Sequence, residues 1–301
     1  QCNLFRWLRR ISKMRRQTQS KVWKIVLDLP IKLHDNNWTI TVEKNLNDLN
    51  KEEIIQVMRL VVSNMVVVFK KQELTPEQEV NFCMVAGEVQ HYPSNTDRLK
   101  DILVGNNIFR VTGEKNERNV PGLFGHESVL DWHGDSASNE NRESMLWLYG
   151  VKGTKGSRTS WLNMIEAYKD LDEDDKQYID DLKIYCGYQN GSYSTSKFFH
   201  EHINKDNLFN LVTKNKEGQK GLYFPFFQTF GIDNMSESEY NYVWQLLYDH
   251  VLDEKYMYHH DWDDGDVVIS EQWLSLHKRW AFKGISNRLV HRIAFNYDNI
   301  Y

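Results

Sequence analysis

Trp132-His133-Gly134-Asp135 places an imidazole and a carboxylate two residues apart, and a further imidazole, His277, follows 144 residues after the first (277 − 133). Two histidines and one carboxylate can hold one face of a ferrous ion and leave the opposite face open for chemistry. If these three act together, the chain must fold so that its middle and its last quarter meet. On a strand, the period of two would put the side chains of His133 and Asp135 on one side and turn Gly134 away. A histidine taken singly is more often hydrogen-bonded or exposed than metal-bound. The surrounding sequence therefore decides.

The 301 residues are ample for one large core. A hydrophobic content of 41% and a charged content of 26% are ordinary for a soluble globular protein. The net charge of −5 argues against a general nucleic-acid binder, whose affinity would rest on phosphate neutralisation. Cys2, Cys83 and Cys186 are odd in number and far apart. Neither a disulfide framework nor a zinc-thiolate site is expected, and a reducing, intracellular and cytoplasmic setting fits. The longest apolar run, residues 65–69, is too short to span a bilayer, so no integral membrane segment is expected.

Residues 1–24 differ from the rest. Arg6, Arg9, Arg10, Lys13, Arg15, Arg16, Lys21 and Lys24 precede any acid, while Leu4, Trp7, Leu8 and Ile11 recur at helical spacing. The ordinary reading of such a charge run is a solvated tail. Targeting or membrane-surface contact stays open, as does a natural start at Met14. Residues 25–301 show no repeat and no low-complexity linker, and are expected to form a single domain.

Asn50 with Glu53 is a capping pair for a helix over 51–63, and Val66–Phe69 follows as a buried strand. Thr75 and Pro76 start a second helix that ends near Gly87. Further strands are expected over 102–104, 108–112, 129–135, 145–151, 183–188, 222–224, 267–270 and 288–296. A helix over 164–171 should continue into the acidic stretch 172–183, and another over 236–250 opens with a Ser236/Glu239 capping box. Short strands, long excursions and flanking helices suggest an α+β fold with a jelly-roll core braced by helices. Periodicity alone does not separate this from another α+β arrangement.

Arg288 and Arg292 lie eleven and fifteen residues beyond His277. On a strand, 288, 290 and 292 share a face. A buried arginine needs an anionic partner, and its planar fork matches a carboxylate. A dicarboxylic cosubstrate with one end on the metal and the other on such an arginine meets both requirements, with Thr159 as a hydroxyl donor to the same carboxylate. For Arg292 a structural ion pair is a fair competitor.

Several ordered motifs across residues 40–297 resemble the Fe(II)/2-oxoglutarate oxygenases of the taurine dioxygenase and chlorophenoxyacetate dioxygenase type. They are Leu74-Thr75-Pro76-Glu77-Gln78 with Ala86-Gly87-Glu88-Val89, Trp132-His133-Gly134-Asp135, and Gly156-Ser157-Arg158-Thr159-Ser160-Trp161 leading to Ala167-Tyr168. Asp263-Asp264-Gly265-Asp266-Val267-Val268-Ile269 with His277, and Arg288-Leu289-Val290-His291-Arg292, complete the set. The resemblance implies a double-stranded β-helix core, with His133, Asp135 and His277 binding Fe(II). It implies 2-oxoglutarate chelated to that iron through its 1-carboxylate and keto oxygen, with one position left for O2. Arg288 and Thr159 would hold the distal carboxylate. Arg292 would reinforce that grip or face an anionic substrate, and His91 falls near a substrate-contacting histidine.

The implied reaction converts 2-oxoglutarate to succinate and CO2 while oxidising an unactivated C–H bond of a small, anionic or amino-acid-like molecule. Hydroxylation, desaturation and oxidative cyclisation are not separated by sequence, and oligomeric state is not given. The rivals are an oxygenase of protein or nucleic-acid side chains and a non-catalytic jelly-roll binding module. The long excursions 90–128 and 189–220 suit lids over a small-molecule pocket. The chain departs from the family pattern at Ser157, at Ser136-Ala137-Ser138 and at Ser270-Glu271-Gln272. Asp135 itself argues against halogenation, which needs that ligand position vacated.

Other residues take ordinary readings. His200 and His202 lack a completing carboxylate and read as loop residues. His259 and His260 point to opposite faces if extended. Trp147 and Trp161 read as packing, residues 223–227 as core and pocket wall with Pro225 at a strand edge, and the acidic run 170–175 as a solvated face.

Overall fold

The computed structural model describes residues 29–92, 97–137, 139, 142–187 and 208–297. The basic stretch 1–24, His200, His202 and most of the 189–220 excursion lie outside the described residues.

Three helices begin where their capping chemistry directs. In Lys51–Asn64 the Asn50 side chain accepts from Glu53 N while the Glu53 carboxylate accepts from Asn50 N. The same reciprocal box opens Pro76–Ala86 at Thr75/Gln78 and Glu237–Val251 at Ser236/Glu239. Each satisfies two amide donors that a helix start leaves orphaned. The helix expected to continue through 172–183 does not do so. It ends at Asp170, Leu171 and Asp172 are extended, and the Asp172 carboxylate caps a new helix, Glu173–Ile179, by accepting from Asp175 N. A strong N-cap in mid-segment begins a second helix rather than prolonging the first.

Two sheets carry the fold. The larger runs, edge to edge, Ile31–Leu33, Thr39–Val42, Val66–Phe69, Val267–Glu271, Met145–Lys152, Leu289–Phe295, Ile108–Val111 and Leu103–Val104. Its pairs are antiparallel apart from Thr39–Val42 beside Val66–Phe69. The smaller runs Met257–Asp261, Arg158–Asn163, Ser275–Arg279 and Leu130–His133, all antiparallel. The architecture is therefore α+β.

Strand alternation sorts the core into three layers. Val67, Phe69, Trp147, Ile269 and Ile293 pack outward from the large sheet against Val57, Met58, Phe82 and Cys83 of the first two helices. Val66, Val68, Leu148, Val268 and Val290 pack inward and meet Trp161, Tyr258 and Leu274 on the smaller-sheet side. Trp132, Leu162 and Leu276 face away from that layer, against Met164, Ala167, Tyr240 and Val243. Burying a large apolar side chain contributes about 1.5–3 kcal/mol, so a strand such as Val66–Phe69, buried on both faces, anchors two layers at once.

Arg158–Asn163, Met257–Asp261 and Ser275–Arg279 lie outside the strands expected from sequence, although they make up most of the smaller sheet. Residues 223–227 are not a strand. The Pro225 carbonyl accepts from Gln228 N and Thr229 N in a turn, and Tyr223, Phe224 and Phe226 are buried in the core. No described helix is long and apolar enough to cross a membrane.

Candidate active site

His277 pairs directly with His133 across neighbouring antiparallel strands, and their ring centroids are 4.1 Å apart. Both point inward because the residues that precede them, Leu276 and Trp132, pack outward. The strand expected over 129–135 stops at His133, and Asp135 lies in the turn that follows. Gln228 causes the stop. Its Oε1 accepts from Gly134 N at 3.0 Å and its Nε2 donates to Gly134 O at 2.9 Å, so a side chain replaces the ladder partner. Ser136 then adopts φ 55° and the chain turns back. Asp135 reaches the histidines through this bend, not through strand alternation.

The bend puts Asp135 Oδ1 3.6 Å from His133 Nε2 and 3.8 Å from His277 Nε2. One donor atom from each residue lies within 4.8 Å of the others. His133 Nδ1 donates to the Asp131 carbonyl at 2.6 Å, which orients the ring and directs the Nε2 lone pair at the shared position. Burial lowers the His133 pKa. Burial, reinforced by His133, pushes His277 down to about 3. Burial alone would raise the Asp135 carboxyl, but Arg292 and then the two imidazoles outweigh it and hold it well below the usual range. Neutral imidazoles and an ionised carboxylate are the forms that bind metal. The donor set fits an ion with open positions on one face.

The remaining cavity wall includes Thr159, Arg279, Arg288 and Arg292. Three guanidiniums face one carboxylate, so the cavity favours an anion. Arg288 is 3% exposed; its Nε donates to Ser157 Oγ at 3.1 Å, while its Nη1 is buried without a hydrogen-bond partner. Burial, then the neighbouring Arg279, pulls this guanidinium down to about 9, still charged at neutral pH. Thr159 Oγ1 accepts from Trp262 Nε1 at 2.9 Å, leaving its own hydroxyl proton to donate. An unsatisfied buried arginine nitrogen beside a hydroxyl donor matches a carboxylate of a cosubstrate.

Arg292 lines the same cavity but donates from Nε to Asp135 Oδ2 at 2.6 Å. His91 is exposed and does not line the cavity. Its neighbour Tyr92 turns inward instead, packing edge-on against Phe109 and interacting with Arg292. The expected opposite orientations of His259 and His260 are present. His259 meets Glu254, and buried His260 meets Asp266.

Three contributors escaped the sequence reading. Arg279 sits two residues after His277 on the same face and donates to the carbonyls of Phe124, His126 and Ser128, so it clamps the loop over the cavity. The period-two spacing was a usable signal for it. Gln228 and Trp262 lie 94 and 103 residues from their partners Gly134 and Thr159, with no local signal.

A family model described as "Taurine catabolism dioxygenase TauD, TfdA family" matches residues 31–294. The chain belongs to this family. TauD/TfdA relatives include a pentalenolactone F synthase of Streptomyces avermitilis, 23% identical over 84% of this chain and 88% of the relative. An (S)-phenoxypropionate/α-ketoglutarate-dioxygenase of Sphingobium herbicidovorans is 24% identical over 81% of this chain and 86% of its own length. The fold is shared with a taurine dioxygenase from Burkholderia xenovorans, TM-score 0.72 at 19% identity over 90% of each chain. It is also shared with AAD-2 in complex with Mn(II) and N-oxalylglycine, TM-score 0.73 at 23% identity over 89% of this chain and 97% of that one. As a TauD/TfdA member the protein is an α-ketoglutarate (2-oxoglutarate)-dependent dioxygenase. The family implies 2-oxoglutarate and O2 as cosubstrates and a bound metal.

Proposed function

We propose that this enzyme uses Fe(II), held by His133, Asp135 and His277, to oxidise an unactivated C–H bond of a small anionic or amino-acid-like molecule. The two facing sheets are read as a double-stranded β-helix, within a single domain over residues 25–301. Iron, 2-oxoglutarate and O2 together supply the oxidising power, with succinate and CO2 as coproducts. The protein's part is to bind, orient and exclude water. Arg288 receives the distal carboxylate of 2-oxoglutarate on its fork, and Thr159 donates its hydroxyl proton to the same group. Arg292 holds the outer oxygen of Asp135, so its main task is to orient a metal ligand rather than to grip the cosubstrate.

The observation that carries this reading is the unsatisfied Arg288 Nη1 in the cavity that also holds the triad. A buried cation with an open donor edge is costly unless an anion completes it. Leu123 N donates to Arg110 O on the strand Ile108–Val111, backbone bonds from Gly113 to Ile285 and from Phe282 to Glu127 tie the 112–127 segment to the loop after Ser275–Arg279, and Phe124 of that segment lines the cavity. A site partly covered in this way favours a small molecule over a macromolecular side chain. Relatives named for phenoxypropionate and 2,4-dichlorophenoxyacetate support an anionic substrate.

Anaerobic addition of Fe(II) and 2-oxoglutarate should give a weak visible charge-transfer band. The band should vanish in His133→Ala and require at least about tenfold more 2-oxoglutarate in Arg288→Gln, as loss of a charge-assisted bond implies. A band unchanged in both variants overturns the assignment. A substrate panel read by succinate release and product mass then identifies the reaction, ~16 mass units gained for hydroxylation and ~2 lost for desaturation or cyclisation.

A further inference from the structure

A second cavity, about 240 Å3, shares no lining residue with the metal cavity; Arg142, Lys183, Phe209, Asn210, Tyr223 and Trp273 are on its wall. Arg142 is 5% exposed. Its guanidinium carbon lies 4.0 Å from the ring centroid of Tyr223 and 4.1 Å from that of Trp273. Two aromatic faces thus pack against the guanidinium and leave its edge for hydrogen bonds. Arg142 Nε has no hydrogen-bond partner, and among the described residues no carboxylate forms an ion pair with this side chain. Glu271 feels its charge, yet the Glu271 Oε2 atom accepts from Leu274 N at 2.7 Å and the two groups do not pair. Lys183 adds a second cation at the exposed mouth.

A buried guanidinium with its stacking satisfied and its hydrogen-bonding edge open is built to receive an anion. We infer that this cavity is an anion subsite, in which Arg142 and Lys183 bind the carboxylate, sulfate or phosphate group of a small organic ligand. The fork edge of Arg142 supplies paired donors, and Lys183 supplies a mobile charge at the entrance. The wall of the subsite lies close in the chain to two of the metal ligands. Arg142 follows Asp135 by seven residues (142 − 135), Trp273 precedes His277 by four (277 − 273), and the Tyr223 hydroxyl donates to Ala137 O at 2.6 Å.

The test uses the metal-free full chain titrated with inorganic sulfate at constant ionic strength, followed by calorimetry and by tryptophan fluorescence, for which Trp273 is a built-in reporter. Saturable binding is expected in the wild type and in Arg288→Gln, with affinity reduced at least about tenfold in Arg142→Gln, about one charge-assisted hydrogen bond. Trp273→Phe should lose much of the optical change and keep the heat. Lys183→Gln, at the exposed mouth, keeps the fold and should weaken binding by a smaller factor. The inference is overturned by no saturable binding in the wild type, by equal binding in Arg142→Gln and Lys183→Gln, or by loss in Arg288→Gln alone, which would put the anion in the metal cavity. With a substrate in hand, a KM raised in Arg142→Gln for the anionic form and not for its neutral ester assigns the anion to the substrate. An unchanged KM with sulfate binding abolished assigns it to a separate effector.

Discussion

Arg292 Nε donates to Asp135 Oδ2 at 2.6 Å, while Oδ1 of the same carboxylate faces the two imidazoles at 3.6 and 3.8 Å. The carboxylate is divided between a cation on the larger sheet and the metal position on the smaller one. Arg292→Gln removes the group that fixes its orientation. Affinity for Mn(II), measured anaerobically by calorimetry, should fall about 10–100-fold, the usual cost of losing a partner that orients a metal ligand. Unchanged metal affinity with weakened 2-oxoglutarate binding would return Arg292 to the cosubstrate.

Arg288 gives a prediction of opposite sign for stability and for binding. Its buried charge has an incomplete set of acceptors, so Arg288→Met should leave the ligand-free protein at least as stable as the wild type, with a gain of up to about 4 kcal/mol, the upper end found when buried ion pairs give way to apolar groups. The same variant should keep the Tm increase expected from Mn(II) and lose much of the further increase expected when 2-oxoglutarate is added. Thermal melts with and without ligand check both halves. A ligand-free variant less stable than wild type would falsify the view that this charge is held ready for a ligand.

Glu271 is fully buried, and burial raises its carboxyl from 4.5 to about 7 against the opposing backbone donors and Arg142. The folded state therefore keeps its proton where the unfolded chain has released it. The stabilising contribution is whole below about pH 4.5 and is lost as pH rises through about 7, a difference of about 3 kcal/mol. Glu271→Gln should match the wild type near pH 4.5 and exceed it by about 3 kcal/mol near pH 8. Denaturant melts at the two pH values decide, and a gap that does not widen with pH rejects the buried-acid assignment.

Gln228 replaces a strand partner for both backbone groups of Gly134. Gln228→Leu leaves a buried N–H and a buried C=O unsatisfied, at about 1–3 kcal/mol each. Unfolding free energy should drop by about 2–6 kcal/mol, with a parallel loss of Mn(II) affinity as Asp135 is released. A stable variant with full metal affinity would mean that the turn holds itself.

The helices were legible because their signals are local. Asn50/Glu53 and Ser236/Glu239 lie three residues apart and Thr75 directly precedes Pro76, and capping chemistry does not depend on the rest of the chain. Most of the large sheet was legible through runs such as Val66–Phe69, apolar on both faces, although Ile31–Leu33 and Thr39–Val42 were not. Of the smaller sheet only Leu130–His133 was legible, and the reason lies in what the other strands carry. Thr159, His277 and Arg279 occupy inward positions that a plain core strand would fill with Val or Leu, so the apolar alternation that marks a strand is absent. The metal ligands were found by residue type and by resemblance, but the position of Asp135 was read wrongly, because Gln228 and Arg292 act on it from 93 and 157 residues away (228 − 135 and 292 − 135).

The two histidines are woven into hydrogen-bonded strands, whereas Asp135 rides on a turn whose backbone is held by Gln228. Exchanging the residue at 135 disturbs no ladder bond and no layer of the core. The cost of exchanging it falls on one side chain, the buried Arg292 guanidinium that would lose its carboxylate, and not on the strands. A scaffold built this way is evolvable at its centre, where one codon can redirect the reaction while the sheets persist.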